Sequence, residues 1–471
     1  MNLLKALRLD NKSASQQTIS LVGAGGKTSA LFQLAREMAQ THSTAIIVTA
    51  TTHLGAWQTS LADHHILAKD SNDLKYLPNQ GVVLVTGEVE NDRTKPITES
   101  TLNRLHENTI LHNTPLLIET DGSRQKSLKA PASHEPPIPE FSNIVIVVAG
   151  LGALGKPLTD EHIHRAEIFS QLGGLQIDQP VTPDALTRVL THPQGGLKNI
   201  PSHARRIVFL NQADTPALQS TGGNMARHLL DHFDSVILGS LKHNHLQTFE
   251  QTAGIILAAG ESTRFGAPKQ LLDWKGKPFV RHVAETALQS GLWPVVVVTG
   301  FRSADIESTL SDLPVIIVHN PEYSQGQSTS IKTGIKALPP PPRWGTSPKF
   351  AQKSIQNVQN LNSEFGGGWV GAATFLLADQ PQIPVEVIRA LMESHAQNLQ
   401  PILAPLVLEE RRANPVLFDR VTFPDLLTLT GDIGGRGIFD RHRVQYLPWH
   451  DDILLFDVDK PEDYQRLKEM E

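Results

Sequence analysis

Two glycine-rich turns followed by fixed cations are the residues of this chain best suited to chemistry. Gly254 to Lys269 reads Gly-Ile-Ile-Leu-Ala-Ala-Gly-Glu-Ser-Thr-Arg-Phe-Gly-Ala-Pro-Lys. Ile255 to Leu257 is an apolar run expected as a buried strand, and it ends in Ala258, Ala259 and Gly260, where a backbone can approach a ligand closely. Arg264 and Lys269 follow, spaced by Gly266 and Pro268, so two positive charges and several backbone amides can converge on a polyphosphate. An ordinary strand, turn and helix with two solvated cations would carry the same letters.

The second turn lies near the start. Thr18 to Val22 is expected as a strand, Gly23-Ala24-Gly25-Gly26-Lys27-Thr28-Ser29 as a loop, and Ala30 to Ala39 as a helix. Amides and the helix dipole would face an anion, Lys27 would neutralise it and Thr28 could hold Mg²⁺. The strict eight-residue P-loop needs its first Gly where Leu21 stands. The shorter Gly-x-x-Gly-Lys-Thr resembles the loop of ATP-dependent amide ligases of the Mur type; a plain strand-to-helix turn is the alternative. A strand from Leu116 to Ile118 would deliver Glu119 and Asp121 to the same edge, where an acid completes an Mg²⁺ site, and Asp121 is assigned to the bound nucleotide. Asp121-Gly122-Ser123 is otherwise a turn.

The elements that must position these turns alternate along the chain as apolar strands and amphipathic helices, the pattern of parallel α/β sheets. Further strands are expected at Ala45 to Val48, Ile144 to Val148, Ile207 to Leu210, Ser235 to Gly239, Val295 to Val298 and Ala373 to Leu377. His162, His164 and Glu167 are placed on one helix, without both histidines on one face, so packing or surface roles are preferred to metal binding. Asn211-Gln212-Ala213-Asp214 resembles a degenerate guanine-reading Asn-Lys-x-Asp motif.

At 471 residues the chain exceeds one ordinary core, and a polar stretch at Gln247 to Thr252 is taken as the boundary between domains 1–248 and 249–471. Residues 338–368, rich in Pro, Gln and Asn, are expected as a disordered insertion. A net charge of −6 gives no support for a nucleic-acid partner. Zero cysteines exclude disulfides, thiolate metal sites and a cysteine nucleophile. With no secretory signal in the first residues and no run near the ~18 apolar residues of a membrane span, a cytoplasmic location without membrane association is expected.

The motif L-A-A-G-x-S-x-R-F-G-x-P-K resembles the signature loop of nucleotidyltransferases, in particular the molybdenum cofactor cytidylyltransferase family. Leu257-Ala258-Ala259-Gly260 is similar to the cytidylyl form, where guanylyl-transferring relatives carry Leu-Ala-Gly-Gly, which implies CTP. Ala378-Asp379-Gln380-Pro381 resembles the family's Gly-Asp-Gln-Pro, with Ala378 a departure, and Asp457-Val458-Asp459-Lys460-Pro461-Glu462-Asp463 resembles its closing motif. The resemblance implies Mg²⁺ or Mn²⁺ on Asp379 and Asp459, with Asp457 as second choice, and Arg264, Lys269 and Asp379 in catalysis. In isolation the closing motif is a helix cap. The resemblance further places Ser328 at the nucleotide and the segments around Asn414 and Arg436 at the acceptor.

Upstream, S-L-V-G-A-G-G-K-T-S, V-T-A-T-T-H-L, I-E-T-D-G-S and A-G-L-G-A-L-G-K-P-L resemble YqeC-type accessory proteins associated with selenium-dependent molybdenum hydroxylases, over roughly residues 15 to 245. That implies a nucleotide-binding domain for ATP or GTP, with Gly23, Gly25, Gly26, Lys27, Thr28 and Asp121 at the site. The expected whole is α/β: two three-layer parallel-sheet domains, P-loop-like and then Rossmann-like of the GT-A nucleotidyltransferase type. The implied reaction transfers CMP from CTP to the molybdopterin phosphate of the molybdenum cofactor. The alternatives are transfer to a sugar or alditol phosphate, or a non-catalytic carrier serving apo-molybdenum hydroxylases.

Overall fold

The computed structural model describes residues 1–9, 17–262, 265–339, 370–408 and 411–470. It divides into two compact units, one from Met1 to Phe249 and one beginning at Glu250.

In the first unit the described strands form a nine-stranded sheet. Their order is His245–Phe249, Ser235–Ser240, Arg205–Asn211, Ile144–Gly150, Thr18–Gly23, Leu116–Glu119, Ile46–Ala50, Val82–Thr86 and His64–Leu67. All neighbours are parallel except the His245–Phe249 edge, which is antiparallel. The Val and Ile runs are apolar on both faces because both are covered. Ile19, Leu21, Ile146 and Val148 pack into one core, with Leu31, Leu34, Ala35 and Met38 of the helix Lys27–Thr41. Val22, Val145, Val147 and Ala149 point into another. Because the strands run the same way, the loops after Gly23, Ala50, Glu119 and Gly150 gather at one edge, where open α/β sheets bind ligands.

The second unit carries an eight-stranded mixed sheet. Ile316–His319, Val295–Thr299, Gln251–Ala258 and Val370–Leu377 form its parallel core. Val416–Asp419 joins antiparallel, followed by Ile402–Val407 with Arg411–Arg412 and Val444–Trp449. Ile256, Ala258, Val295 and Val297 face one core, and Ile255, Val296 and Val298 the other. Helix Phe279–Ser290 covers the first face with Val280, Val283, Ala284 and Ala287, an i, i+3, i+4, i+7 stripe. Both units are therefore three-layered α/β, with the antiparallel extension as an addition to the expected parallel sheet.

One local expectation is corrected. Ile163–His164 is a short strand paired with Leu128–Lys129, and the helix begins only at Ala166, so neither His162 nor His164 is on it. The two units divide after Phe249, inside the polar stretch Gln247 to Thr252, where the strands His245–Phe249 and Gln251–Ala258 are separated by Glu250 alone and Thr248 is buried with its hydroxyl donating to the Ala6 carbonyl. The expected insertion 338–368 lies outside the described residues from 340 onward.

Asp234 sits just before the strand Ser235–Ser240 and is buried, with the Arg206 amide donating to Oδ2 at 2.7 Å. Burial pushes its carboxyl up to about 7, against the pull of that hydrogen bond and of Arg205 and Arg206. A raised folded-state value favours the protonated form, so stability is full below the ordinary carboxylate range and falls as pH rises towards 7. Asp234→Asn should flatten this slope and stabilise the chain at pH 8 by at most about 4 kcal/mol. Thermal unfolding of both proteins at pH 4, 6 and 8 checks it; parallel curves would refute it.

Candidate functional site

The first unit's site begins where Gly23 ends the central strand. Its amide donates to both Asp121 oxygens at 3.1 Å, Ala24 N donates to Val148 O at 2.8 Å, and Gly25 N to Lys126 O at 3.1 Å. These amides hold the loop, and the groups left to face an anion are those of the first turn of Lys27–Thr41, which lack intrahelical partners. Glycine is required by space: a Cβ at Gly25 would meet Gly150 N at 2.4 Å, and one at Gly26, whose φ is +118°, would meet the Asn211 amide at 2.5 Å. That amide donates to Gly25 O at 2.8 Å, while Asn211 Oδ1 accepts from Leu241 N, so Asn211 clamps the loop.

A buried chain of charges lies beneath. Lys27 Nζ donates to Gly23 O at 2.6 Å and pairs with Asp121 at 3.3 Å and Glu119 at 3.9 Å. Lys129 Nζ reaches Asp121 at 2.7 Å and Glu135 at 2.8 Å, and Arg165 holds Glu135 through two bonds of 2.7 Å. Although burial alone would raise it, Glu135 is drawn down to about 2 by Arg165 and Lys129. Asp121 is thus enclosed between two ammonium groups. Glu119 is the acid beside the helix start: Thr28 Oγ1 donates to its Oε2 at 2.7 Å, and burial pushes its carboxyl up against the pull of Lys27. Gly25, Gly26, Lys27, Thr28 and Glu119 line an open cleft of about 1150 Å³. A hydroxyl and a carboxylate at the foot of a helix N-terminus suit a hard cation with phosphate.

In the second unit Ala258 and Ala259 are buried, and Gly260 opens an exposed loop whose carbonyl accepts from Gln270 Nε2 at 2.7 Å. Arg264 lies outside the described residues. Lys269 begins a 3-10 turn, is 7% exposed, and its ammonium sits 2.8 Å from Asp459 and 3.7 Å from Asp379. Asp379 follows the strand Val370–Leu377; burial raises its carboxyl, Lys269 opposes, and the charges of Asp457 and Asp459 add to the rise. Gln380 Nε2 donates to Asp457 at 2.6 Å and Gln382 Nε2 to Phe456 O at 2.6 Å, stitching the 456–459 segment to the strand end.

A cleft of about 430 Å³ runs beside this cluster, and Leu257, Gln380, Arg412, Asn414, Arg436 and Asp457 line it. Ser328 is buried at the start of helix Gln327–Lys336, its hydroxyl without a partner among the described residues, and does not line the cleft. Arg436 is exposed and reaches Arg412 O at 3.3 Å. Sequence reasoning did not single out Gln380, whose buried Oε1 has no described partner, although it sits in the Ala378–Pro381 motif. Gln270, which clamps the loop, gave no signal.

Among the described residues no three His, Asp or Glu converge on a metal position. Two carboxylates nevertheless fit a cation that takes its remaining ligands from phosphate and water. Asp379, raised first by burial and then by its acidic neighbours and facing Lys269, is such a donor. No helix among the described residues is long and apolar enough to cross a membrane.

Residues 19–167 match the YqeC protein family and residues 254–446 the MobA-like NTP transferase domain. The chain is 34% identical over 214 residues to the uncharacterized protein YqeC of Escherichia coli K12, covering 44% of this chain and 80% of that one. It is 28% identical over 225 residues to nicotine blue oxidoreductase of Paenarthrobacter nicotinovorans, covering 45% and 95%. The molybdenum cofactor cytidylyltransferase of Escherichia coli K12 is 35% identical over 85 residues, covering 18% of this chain and 44% of that one.

Proposed function

The chain belongs to the YqeC family through its N-terminal half and is a nucleotidyltransferase with a MobA-like domain in its C-terminal half, and from that premise we propose that it is a molybdenum cofactor cytidylyltransferase. The observation that carries this reading is Lys269, a buried ammonium between Asp379 and Asp459 beside the cleft of Asn414 and Arg436. The same half of the chain is also similar to an oxidoreductase; what favours a polyphosphate is a fixed cation beside carboxylates that can take a metal ion.

An oxygen of the acceptor's terminal phosphate attacks the α-phosphorus of CTP, one P–O bond forms, the α–β bridging P–O bond breaks, and pyrophosphate leaves. Phosphate is already a competent nucleophile, so the site's work is in-line positioning and charge neutralisation. Lys269 would hold the triphosphate, with Arg264 as its proposed companion, and Asn414 and Arg436 would orient the acceptor. Asp379 and Asp459, with Asp457 next to them, would hold Mg²⁺ or Mn²⁺, which supplies further charge neutralisation on the phosphates. Ala259, where guanylyl-transferring relatives carry Gly, supports CTP. In the first unit Thr28 and Glu119 would hold the magnesium of ATP or GTP, with Lys27 at the loop.

Pyrophosphate release from purified protein with Mg²⁺ and molybdenum cofactor tests the reading. Cofactor-dependent release is expected with CTP and not with GTP, ATP or UTP. Release with none of the four, from folded protein that still binds CTP, would overturn it and turn attention to sugar phosphates or a carrier role.

A further inference from the structure

The N-terminal cleft carries a second group of cations on the wall beside its glycine loop. Its volume of about 1150 Å³ exceeds the ~300–1,000 Å³ of an ordinary small-molecule pocket. Ser123 to Lys126 form a turn in its wall, closed by Lys126 N donating to Ser123 O at 3.0 Å. The bond from Gly25 N to Lys126 O fixes this turn directly against the glycine loop. Arg124 and Gln125 both take left-handed backbone, at φ +48° and +61°, and so do two other lining residues, Arg165 at +65° and Gln212 at +62°. Side chains held in that region persist where the surroundings over-determine them, and such residues cluster at ligand sites.

The charges agree. Arg165 is matched by Glu135 and Lys27 by Asp121 and Glu119, which leaves Arg93, Arg124 and Lys126, whose ammonium donates to the Glu161 carbonyl, against Asp92 in the lining. No hydrogen bond or ion pair among the described residues engages the Arg124 guanidinium. His164 lines the same wall; burial first, then Arg165, Lys129 and Arg124, push it down to about 4 despite Glu135, so its ring is neutral at pH 7 and free to hydrogen-bond.

We propose that the turn carrying Arg124 and Lys126, together with His164, is a second ligand site that binds the oxyanion head group of a co-substrate, phosphomonoester or carboxylate, beside the nucleotide. A guanidinium and an ammonium on one turn neutralise such a head group, and the neutral imidazole adds a directional contact. The proposal rests on reading Thr28 and Glu119 as the magnesium-nucleotide edge.

The test uses the full chain saturated with Mg²⁺ and AMP-PNP, or GMP-PNP if that binds instead, so that the γ-phosphate position is filled. Inorganic phosphate and acetate are then titrated in separate calorimetric arms into wild type and into Arg124→Asn/Lys126→Gln. Asn tolerates left-handed backbone, and the bond to Gly25 uses a main-chain oxygen, so the variant keeps the turn. At least one anion should bind wild type and lose tenfold or more in the variant, with nucleotide affinity and C-terminal pyrophosphate release unchanged; the arm that responds identifies the head group. Equal anion binding by both proteins, or none by either, overturns the proposal, as does a loss of AMP-PNP affinity, which would make Arg124 part of the nucleotide site. If neither analogue binds, the nucleotide reading fails separately, and the same difference measured without nucleotide decides the anion site.

Discussion

Lys269→Ala is expected to lower pyrophosphate release by about 10²–10³-fold, the range seen when one preorganised charge-stabilising group is removed. Two losses combine. On the proposed reading, the triphosphate loses a cation that is pre-positioned by Asp459 at 2.8 Å and needs no reorganisation as charge develops. Asp379 loses the positive charge that opposes its burial, while Asp457 and Asp459 continue to raise it, so its ionised form, the one that would hold a metal, becomes scarcer. The fold should hold, because the Asp379 side chain is 38% exposed and can take a proton or water in place of the ammonium. Asp379→Asn should produce a loss of similar size, and the double variant little more than either alone, because the groups act as a unit. Steady-state kinetics with circular dichroism checks this: Lys269→Ala with more than a tenth of wild-type turnover would remove Lys269 from the chemistry.

The fold was legible in the sequence wherever a strand is buried on both faces. Ile144 to Val148 and Val295 to Val298 show themselves as uninterrupted β-branched runs, and Leu31, Leu34, Ala35 and Met38 mark their helix by spacing alone. Edges were harder. Gln247 and Thr248 gave no strand signal because Thr248 is satisfied by the Ala6 carbonyl, over two hundred residues earlier in the chain. His164 is drawn into a two-residue strand by Leu128 and Lys129, a pairing no local period can show. At the candidate site, motif and spacing singled out Lys27, Thr28 and Lys269, which the structure sets in or beside the clefts, whereas the different surroundings of Glu119 and Asp121 were not legible. Which acid meets the ammonium groups depends on Lys129, Glu135 and Arg165, brought together only by tertiary packing. Asn211 is similar: its letters suggest base reading, and its amide is engaged by the glycine loop.

That difference in surroundings between Glu119 and Asp121 leads to the second large effect. Asp121→Asn should destabilise the first unit by about 3–5 kcal/mol, the cost of leaving buried charge without its partner. Lys27 and Lys129 side chains are each 2% exposed, and Asp121 is the carboxylate between them, at 3.3 Å and 2.7 Å. Neutralising it leaves Lys27 with Glu119 at 3.9 Å and Lys129 with Glu135, and the two ammonium groups without the charge that separates them. Glu119→Gln should behave in the opposite way. Burial already disfavours the Glu119 carboxylate, so an isosteric amide that still accepts from Thr28 costs little stability near neutral pH. What it removes is the anionic oxygen beside the helix N-terminus, and magnesium-dependent nucleotide affinity should fall tenfold or more. Thermal unfolding paired with AMP-PNP titration in Mg²⁺ and in EDTA separates the two residues. A stable Asp121→Asn protein that has lost nucleotide, beside a Glu119→Gln protein that binds normally, would reverse the assignment and make Asp121 the ligand-facing acid.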